Sequence, residues 1–313
     1  MADNDGQWER GLIEKLATEA LKEQRRARRW GIFWKLLTFA YITVVLVLTL
    51  DLPDGETHSG KHTALVDIKG VIAPGSDASA DKVAVALQAA FKDKNTQGVV
   101  LRINSPGGSP VQAQTIFDEM KRLRAKYPNV PLYAVVEDLC ASGGYYVAAA
   151  ADKIYVAKGS IVGSIGVRMD NFGVVGLMEK LWVERRLITA GKNKALLDPF
   201  LPVDESHREI AVNLIEEIHG QFIAAVREGR GKRLKETPDM FSGLIWSGTK
   251  SVELGLADGF GTLDHVAREI IKAEDIIDFT QKENLAEKFA RRFGASVANT
   301  LIEFTARSGL ALQ

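Results

Sequence analysis

Between residues 64 and 156 the chain alternates short apolar runs, rich in β-branched residues, with stretches of helical spacing, and this alternation limits the folds open to it more than any other feature. The apolar runs are 64–71, 98–104, 132–137 and 153–156; the helical patterns cover 81–92, 112–126 and 144–151. Strands that alternate with helices of this length build an α/β domain around a buried, largely parallel sheet. With 46% hydrophobic residues the 313-residue chain can fill such a core. Further on, a long helical pattern over 202–230 places Ile210, Leu214, Ile218 and Phe222 at helical spacing. Another strand and helix follow, then a helical tail from about Asn284.

One segment departs from the globular average. Residues 36–50 carry no charge, and Ile32, Phe33 and Trp34 extend the run across a single Lys35. A bilayer crossing needs about 20 mostly apolar residues. Lys35 can snorkel, and Trp30, Trp34 and Tyr41 suit an interface. The expectation is one transmembrane helix at 31–52. A cleaved leader fits less well, because about thirty residues precede the run and no small-x-small site follows it. Arg25, Arg26, Arg28 and Arg29 lie before it, whereas Asp51, Asp54 and Glu56 follow. By the positive-inside rule the N-terminus stays cytoplasmic and the rest is exported. Trp8, Leu12, Leu16 and Ala20 share a helical face, which fits an amphipathic helix on the inner membrane surface or a solvated one.

Charge and metal-ligand patterns exclude several classes of function. The formal net charge is zero, so the overall balance points to no nucleic-acid partner. None of the five histidines, His58, His62, His207, His219 and His265, forms a closely spaced pair of zinc-hydrolase type, and Cys140 stands alone. No metal or other cofactor is expected.

Glycine turns placed after strands carry the chemistry. Residues 104–109 read Asn-Ser-Pro-Gly-Gly-Ser, directly between a strand and a helix. Adjacent glycines leave backbone N–H groups unobstructed, as in an oxyanion hole or anion nest, or simply make a tight turn. Residues 140–146 read Cys-Ala-Ser-Gly-Gly-Tyr-Tyr, again between strand and helix. Ser142 at a helix start is placed as a nucleophile with Gly143 as a donor beside it, or as an N-cap. The G-x-S-x-G pattern of lipases is absent, and no histidine sits in a triad context. A lysine is left as base, and it must lose its hydration to act near neutral pH.

In order along the chain, Asn104 to Ser109, Ala141 to Tyr146, Gly163-Ser164-Ile165-Gly166-Val167, Gly191-Lys192-Asn193-Lys194, and the stretch from Ser247 to Gly261 resemble the motifs of the signal peptide peptidase A family. The resemblance covers about 64–270. It implies a serine peptidase of crotonase/Clp-like ββα-repeat fold, with Ser142 as nucleophile, Lys194 as general base and Ser164 holding the lysine amine. Gly108 and Gly143 are implied as the oxyanion hole. The family's acidic residue after the lysine is missing, since Ala195, Leu196 and Leu197 follow Lys194, and this keeps Lys192 in contention.

The resulting layout is a cytoplasmic segment (1–30), the anchor (31–52), a linker (53–63), a peptidase domain (64–275) and a C-terminal helical tail (276–313). Each motif occurs once, as in the short form of the family, which implies a homo-oligomeric ring with serine and lysine meeting across a subunit boundary. The implied setting is the outer side of a bacterial inner membrane, with signal peptides or other apolar peptides as substrates. Rival readings are a catalytically weak membrane-anchored scaffold, a related inner-membrane peptidase with another substrate, and an acyl-CoA enzyme of the same fold.

Overall fold

The computed structural model describes residues 5–49 and 60–281. They fall into two compact units, one containing the N-terminal helix and the other spanning His58–Lys282. The expected linker therefore lies largely outside the described residues, as does the helical tail from Asn284 onward.

The N-terminal helix α1 runs Asp5–Thr49, and its described side chains are exposed, among them Trp30, Phe33 and Trp34. Trp30 and Phe33 meet edge to face at 5.7 Å. Among the described residues no helix is long and apolar enough to cross a membrane. The uncharged part of α1 begins at Leu36, and its rise to Thr49 is about 20 Å, against about 30 Å of bilayer hydrocarbon. Side chains from Leu46 to Leu50, the last part of the expected span, lie outside the described residues.

The second unit is a mixed α/β domain. Four strands appear where the apolar runs predict them: β1 (His62–Lys69), β2 (Thr96–Ser105), β3 (Leu132–Ala141) and β4 (Lys153–Val156). Between them lie α2 (Ala80–Lys92), α3 (Pro110–Lys126) and α4 (Gly143–Ala148). Ser109 caps α3 with its side chain, and Pro110 occupies the first turn, where a missing N–H costs nothing. β5 (Ile161–Gly163), α5 (Val175–Lys180), α6 (Glu205–Arg230), β6 (Ile245–Ser247), α7 (Gly248–Glu253), β7 (Gly259–Phe260), α8 (Leu263–His265) and β8 (Ile276–Asp278) follow, with a short 3-10 helix at Gly231–Arg233 and a π-helix at Val266–Ile271.

The sheet runs β6-β5-β3-β2-β1-β8, parallel except for the β5–β6 pair. It forks at β3. The first half of that strand pairs with β4 through Tyr133 to Val136, and its end turns to pair with β5 through Leu139 to Ala141. The fork carries β3 past residue 137, so that it ends one residue before Ser142.

β8 pairs with β1 through Ile276, Ile277 and Asp278, so the domain continues past residue 275, where the sequence reading places its end. Thr63 Oγ1 donates to the Ala273 carbonyl at 2.7 Å, and the Thr280 hydroxyl accepts from the Asp67 amide at 2.9 Å. Both bonds tie this segment to β1.

The main core packs α2 and α3 on the sheet through Leu87, Phe91, Ile116, Met120 and Leu123, and Tyr145 and Val147 of α4 belong to the same cluster. Helix α4 is held from two sides. Tyr145 is fully buried and donates its hydroxyl to the Leu256 carbonyl at 2.8 Å. Tyr146 meets Phe117 of α3 at 5.3 Å and Phe222 of α6 at 5.0 Å between ring centroids. Beneath α4, Arg230 is buried and bonds Asp258 at 2.8 Å and the Gly255 carbonyl at 2.9 Å. A charge at that depth is tolerated because Asp258 pairs with it, although Arg230 Nη2 has no hydrogen-bond partner among the described residues.

Candidate active site

Ser142 sits in the turn between β3 and α4 with φ of 51°. Positive φ is uncommon for a residue with a side chain, and such strain persists where the surroundings impose it. They do so here: the Ser142 amide donates to the Gly163 carbonyl at 2.8 Å, and its carbonyl accepts from Tyr146 at 2.9 Å. Its side chain makes no capping bond to the helix, which answers the N-cap alternative. With only six residues, α4 offers the amide of Gly143 rather than a long helix dipole.

The first glycine turn lies against the second. A Cβ placed on Gly107 would stand 2.5 Å from the Gly143 nitrogen and 2.9 Å from the Ser142 Cβ, so only glycine fits. Gly107 has φ of 94° as well. A Cβ on Gly143 would come within 3.2 Å of the Gly108 nitrogen, which shows how near the two amides stand. Neither amide donates to an acceptor among the described residues.

The third turn brings Ser164, also at φ of 51°, whose amide donates to the Leu244 carbonyl at 2.7 Å. Ser142, Ser164, Gly108 and Gly143 all line one cleft of about 640 Å³. Its remaining wall includes Val71, Pro110, Tyr146, Val167, Ile218 and Phe222. The sequence reading treats Ile218 and Phe222 only as a helical pattern; their spacing signals an apolar face but cannot separate packing from cleft lining. Cys140, two residues before Ser142, is wholly buried, and burial holds its thiol well above the usual range, so it is no rival nucleophile.

Lys194 is not in the cleft of this chain. It lies in a turn closed by its amide on the Gly191 carbonyl at 3.1 Å, and its side chain is exposed, as is that of Lys192. The stretch 172–203 that carries it exposes large apolar side chains, Trp182 and Ile188 each at 95%, with Phe172 and Val203 exposed as well.

A half-buried serine at a positive-φ strand-to-helix turn thus shares one cleft with two amides that have no acceptor among the described residues, the kinds of group that acyl transfer by a serine hydrolase calls on. Residues 124–276 match the model of peptidase family S49, and 65–158 match that of Clp protease. The chain is 31% identical over 210 residues to a putative protease of Synechocystis, covering 66% of this chain and 72% of that one. It is 36% identical over 198 residues to a putative protease of Methanocaldococcus jannaschii, covering 62% and 63%. It is also 46% identical over 177 residues to a Na+/H+ antiporter NhaA of Brucella melitensis, covering 56% of this chain and 24% of that protein. The chain thus spans about a quarter of the antiporter and just under two thirds of the Methanocaldococcus protein. It belongs to peptidase family S49, the serine peptidases of the signal peptide peptidase A type.

Proposed function

We propose that this chain is a membrane-anchored serine endopeptidase that cuts apolar peptides, cleaved signal peptides among them, with Ser142 as nucleophile and Lys194 of a second copy as base. The observation that carries the reading is the convergence of Ser142, Ser164, Gly108 and Gly143 on one cleft while Lys194 stays outside it. An amine that must shed water to act as a base needs a cover. The apolar surface around Trp182 and Ile188, on the segment that carries Lys194, suits a second copy of the chain as that cover. The forked parallel sheet and the match to Clp protease support a crotonase/Clp-like fold.

In this mechanism the Ser142 hydroxyl attacks the peptide carbonyl as its proton passes to the Lys194 amine. The amides of Gly108 and Gly143 take the charge on the carbonyl oxygen, and Ser164 orients the amine. Lys194 then protonates the departing amine and next draws a proton from the water that releases the acyl group. The anchor is the whole segment 31–52, whose last residues lie outside the described ones, and it holds the chain in the bacterial inner membrane with the N-terminus cytoplasmic and the cleft outside. The anchor keeps the cleft near membrane peptides and raises their effective concentration.

Cleavage by the full-length protein in detergent, assayed on a synthetic signal peptide and on a stably folded protein, tests this. The peptide is expected to be cut and the folded protein spared. Equal cleavage of both would remove the substrate assignment.

A further inference from the structure

The oxyanion donors of this site are main-chain groups, so what aims them is whatever holds the loop that carries them. Residues 70–72 run beside that loop. The Gly70 amide donates to the Asn104 carbonyl at 2.9 Å, the Ile72 amide to the Gly107 carbonyl at 2.9 Å, and the Ser109 amide to the Ile72 carbonyl at 2.8 Å. The Gly107 carbonyl and the Gly108 N–H belong to one planar trans peptide and point opposite ways. Fixing the carbonyl on Ile72 therefore turns the N–H to the other side.

The peptide on the near side of Gly107 is held differently. Its N–H donates to the Ser105 Oγ at 3.1 Å, and that hydroxyl donates to the Gly70 carbonyl at 2.6 Å. Ser105 is fully buried, and its carbonyl lies 3.0 Å from where a Cβ on Gly144 would stand, so it also abuts α4. One hydroxyl thus joins Gly70, just after β1, to the Gly107 turn, while the carbonyl of the same residue abuts the start of the helix behind Ser142. Every other bond of this brace is main chain, and the two glycines have no side chains with which to hold themselves. Within the motif at 104–109, Ser105 has this place and no role in the reaction scheme above.

We propose that Ser105 is a positioning residue: its hydroxyl fixes the Gly107 turn so that the Gly108 N–H meets the charge that develops on the substrate oxygen. The proposal rests on the reading of Ser142 as nucleophile and Gly108 as donor. Removing the hydroxyl leaves the buried Gly107 N–H without its acceptor and lets the turn relax. The effect falls on the tetrahedral state and spares the planar substrate, because only the former places full charge at the donor.

The test compares Ser105→Ala with the unchanged full-length protein for kcat, KM, melting temperature and inhibition by a leucine-terminated peptide boronic acid. The boronate forms a tetrahedral adduct with the serine, whereas the matching peptide amide does not. Losing a whole oxyanion donor costs about 10²–10³ in kcat, and a loosened donor is expected to cost about tenfold. The boronate should weaken in the same proportion, with KM and affinity for the amide unchanged. Unaltered kcat and boronate inhibition, or equal weakening of boronate and amide, would overturn the proposal. Should Ser105→Ala not fold, a crystal structure of the boronate adduct of the unchanged protein decides. The Gly108 N–H bonded to the adduct oxygen with the Ser105 to Gly107 bond intact supports it; a Ser105 hydroxyl turned away from Gly107 overturns it. Peptide cleavage that survives Ser142→Ala would instead sink the underlying reading.

Discussion

The amide of Ser142 donates to the carbonyl of Gly163 at 2.8 Å, so the turn that presents one cleft serine is fastened to the turn that presents the other. Gly163 can serve only as glycine: its φ is 110°, and a Cβ would lie 2.9 Å from the Trp246 ring and 3.1 Å from the Leu244 carbonyl. Gly163→Ala is expected to lower stability by about 1–3 kcal/mol and to cut peptide cleavage by more than the stability loss explains. Urea unfolding and kcat measured on the folded fraction check both.

Lys194 and Lys192 are both exposed in the single chain, so an exchange experiment separates them and the assembly together. Lys194→Ala is expected to abolish cleavage and Lys192→Ala to retain it. Mixing inactive Ser142→Ala with inactive Lys194→Ala, after dissociation and reassembly, should restore part of the activity, because mixed boundaries then pair an intact serine with an intact lysine. Cleavage that survives in Lys194→Ala and vanishes in Lys192→Ala would reverse the assignment.

Phe222 packs against Tyr146 at 5.0 Å, is almost wholly buried, and forms part of the cleft wall. Phe222→Ala is expected to cost about 3–5 kcal/mol of stability. It should also enlarge the cleft, raising KM for peptides with small apolar residues at the cleavage site relative to large ones. A panel of peptides varied at that one residue measures the shift.

Asp258 sets an acid limit on the domain. Burial alone pushes its carboxyl up, but the bond to Arg230, the Arg230 charge, the Ile154 amide and Arg233 outweigh it and hold the carboxyl below the usual range. The folded state thus prefers the ionised form. Its contribution is present in full above the unfolded value of about 3.9 and is lost as pH falls through the lower folded value. Asp258→Asn is expected to be less stable near pH 7 and to lose less stability on acidification. Denaturant titrations at several pH values check this, and identical acid limbs would contradict it.

How much of this was legible in the sequence follows from the lengths of the elements. β1 to β4 and the helices between them show in the sequence because parallel strands buried on both faces read as unbroken apolar runs. β5 to β8 have two or three residues each, too few for any periodicity, and Ile276 to Asp278 becomes a strand only because the edge of β1 is there to pair with it. The glycine turns mark where two main chains come close, since such an approach excludes side chains, but the choice of Ser142 and Gly108 within them comes from the family resemblance. The place of Lys194 is not legible in this way, because what covers an exposed amine depends on assembly and not on local pattern.

Treatment of the full-length protein with a serine-directed fluorophosphonate, followed by mass mapping of the adduct and by peptide cleavage assays, decides whether Ser142 is the nucleophile. A single adduct on Ser142 is expected, with both labelling and cleavage lost in Ser142→Ala. Cleavage by Ser142→Ala at the rate of the unchanged protein would contradict it.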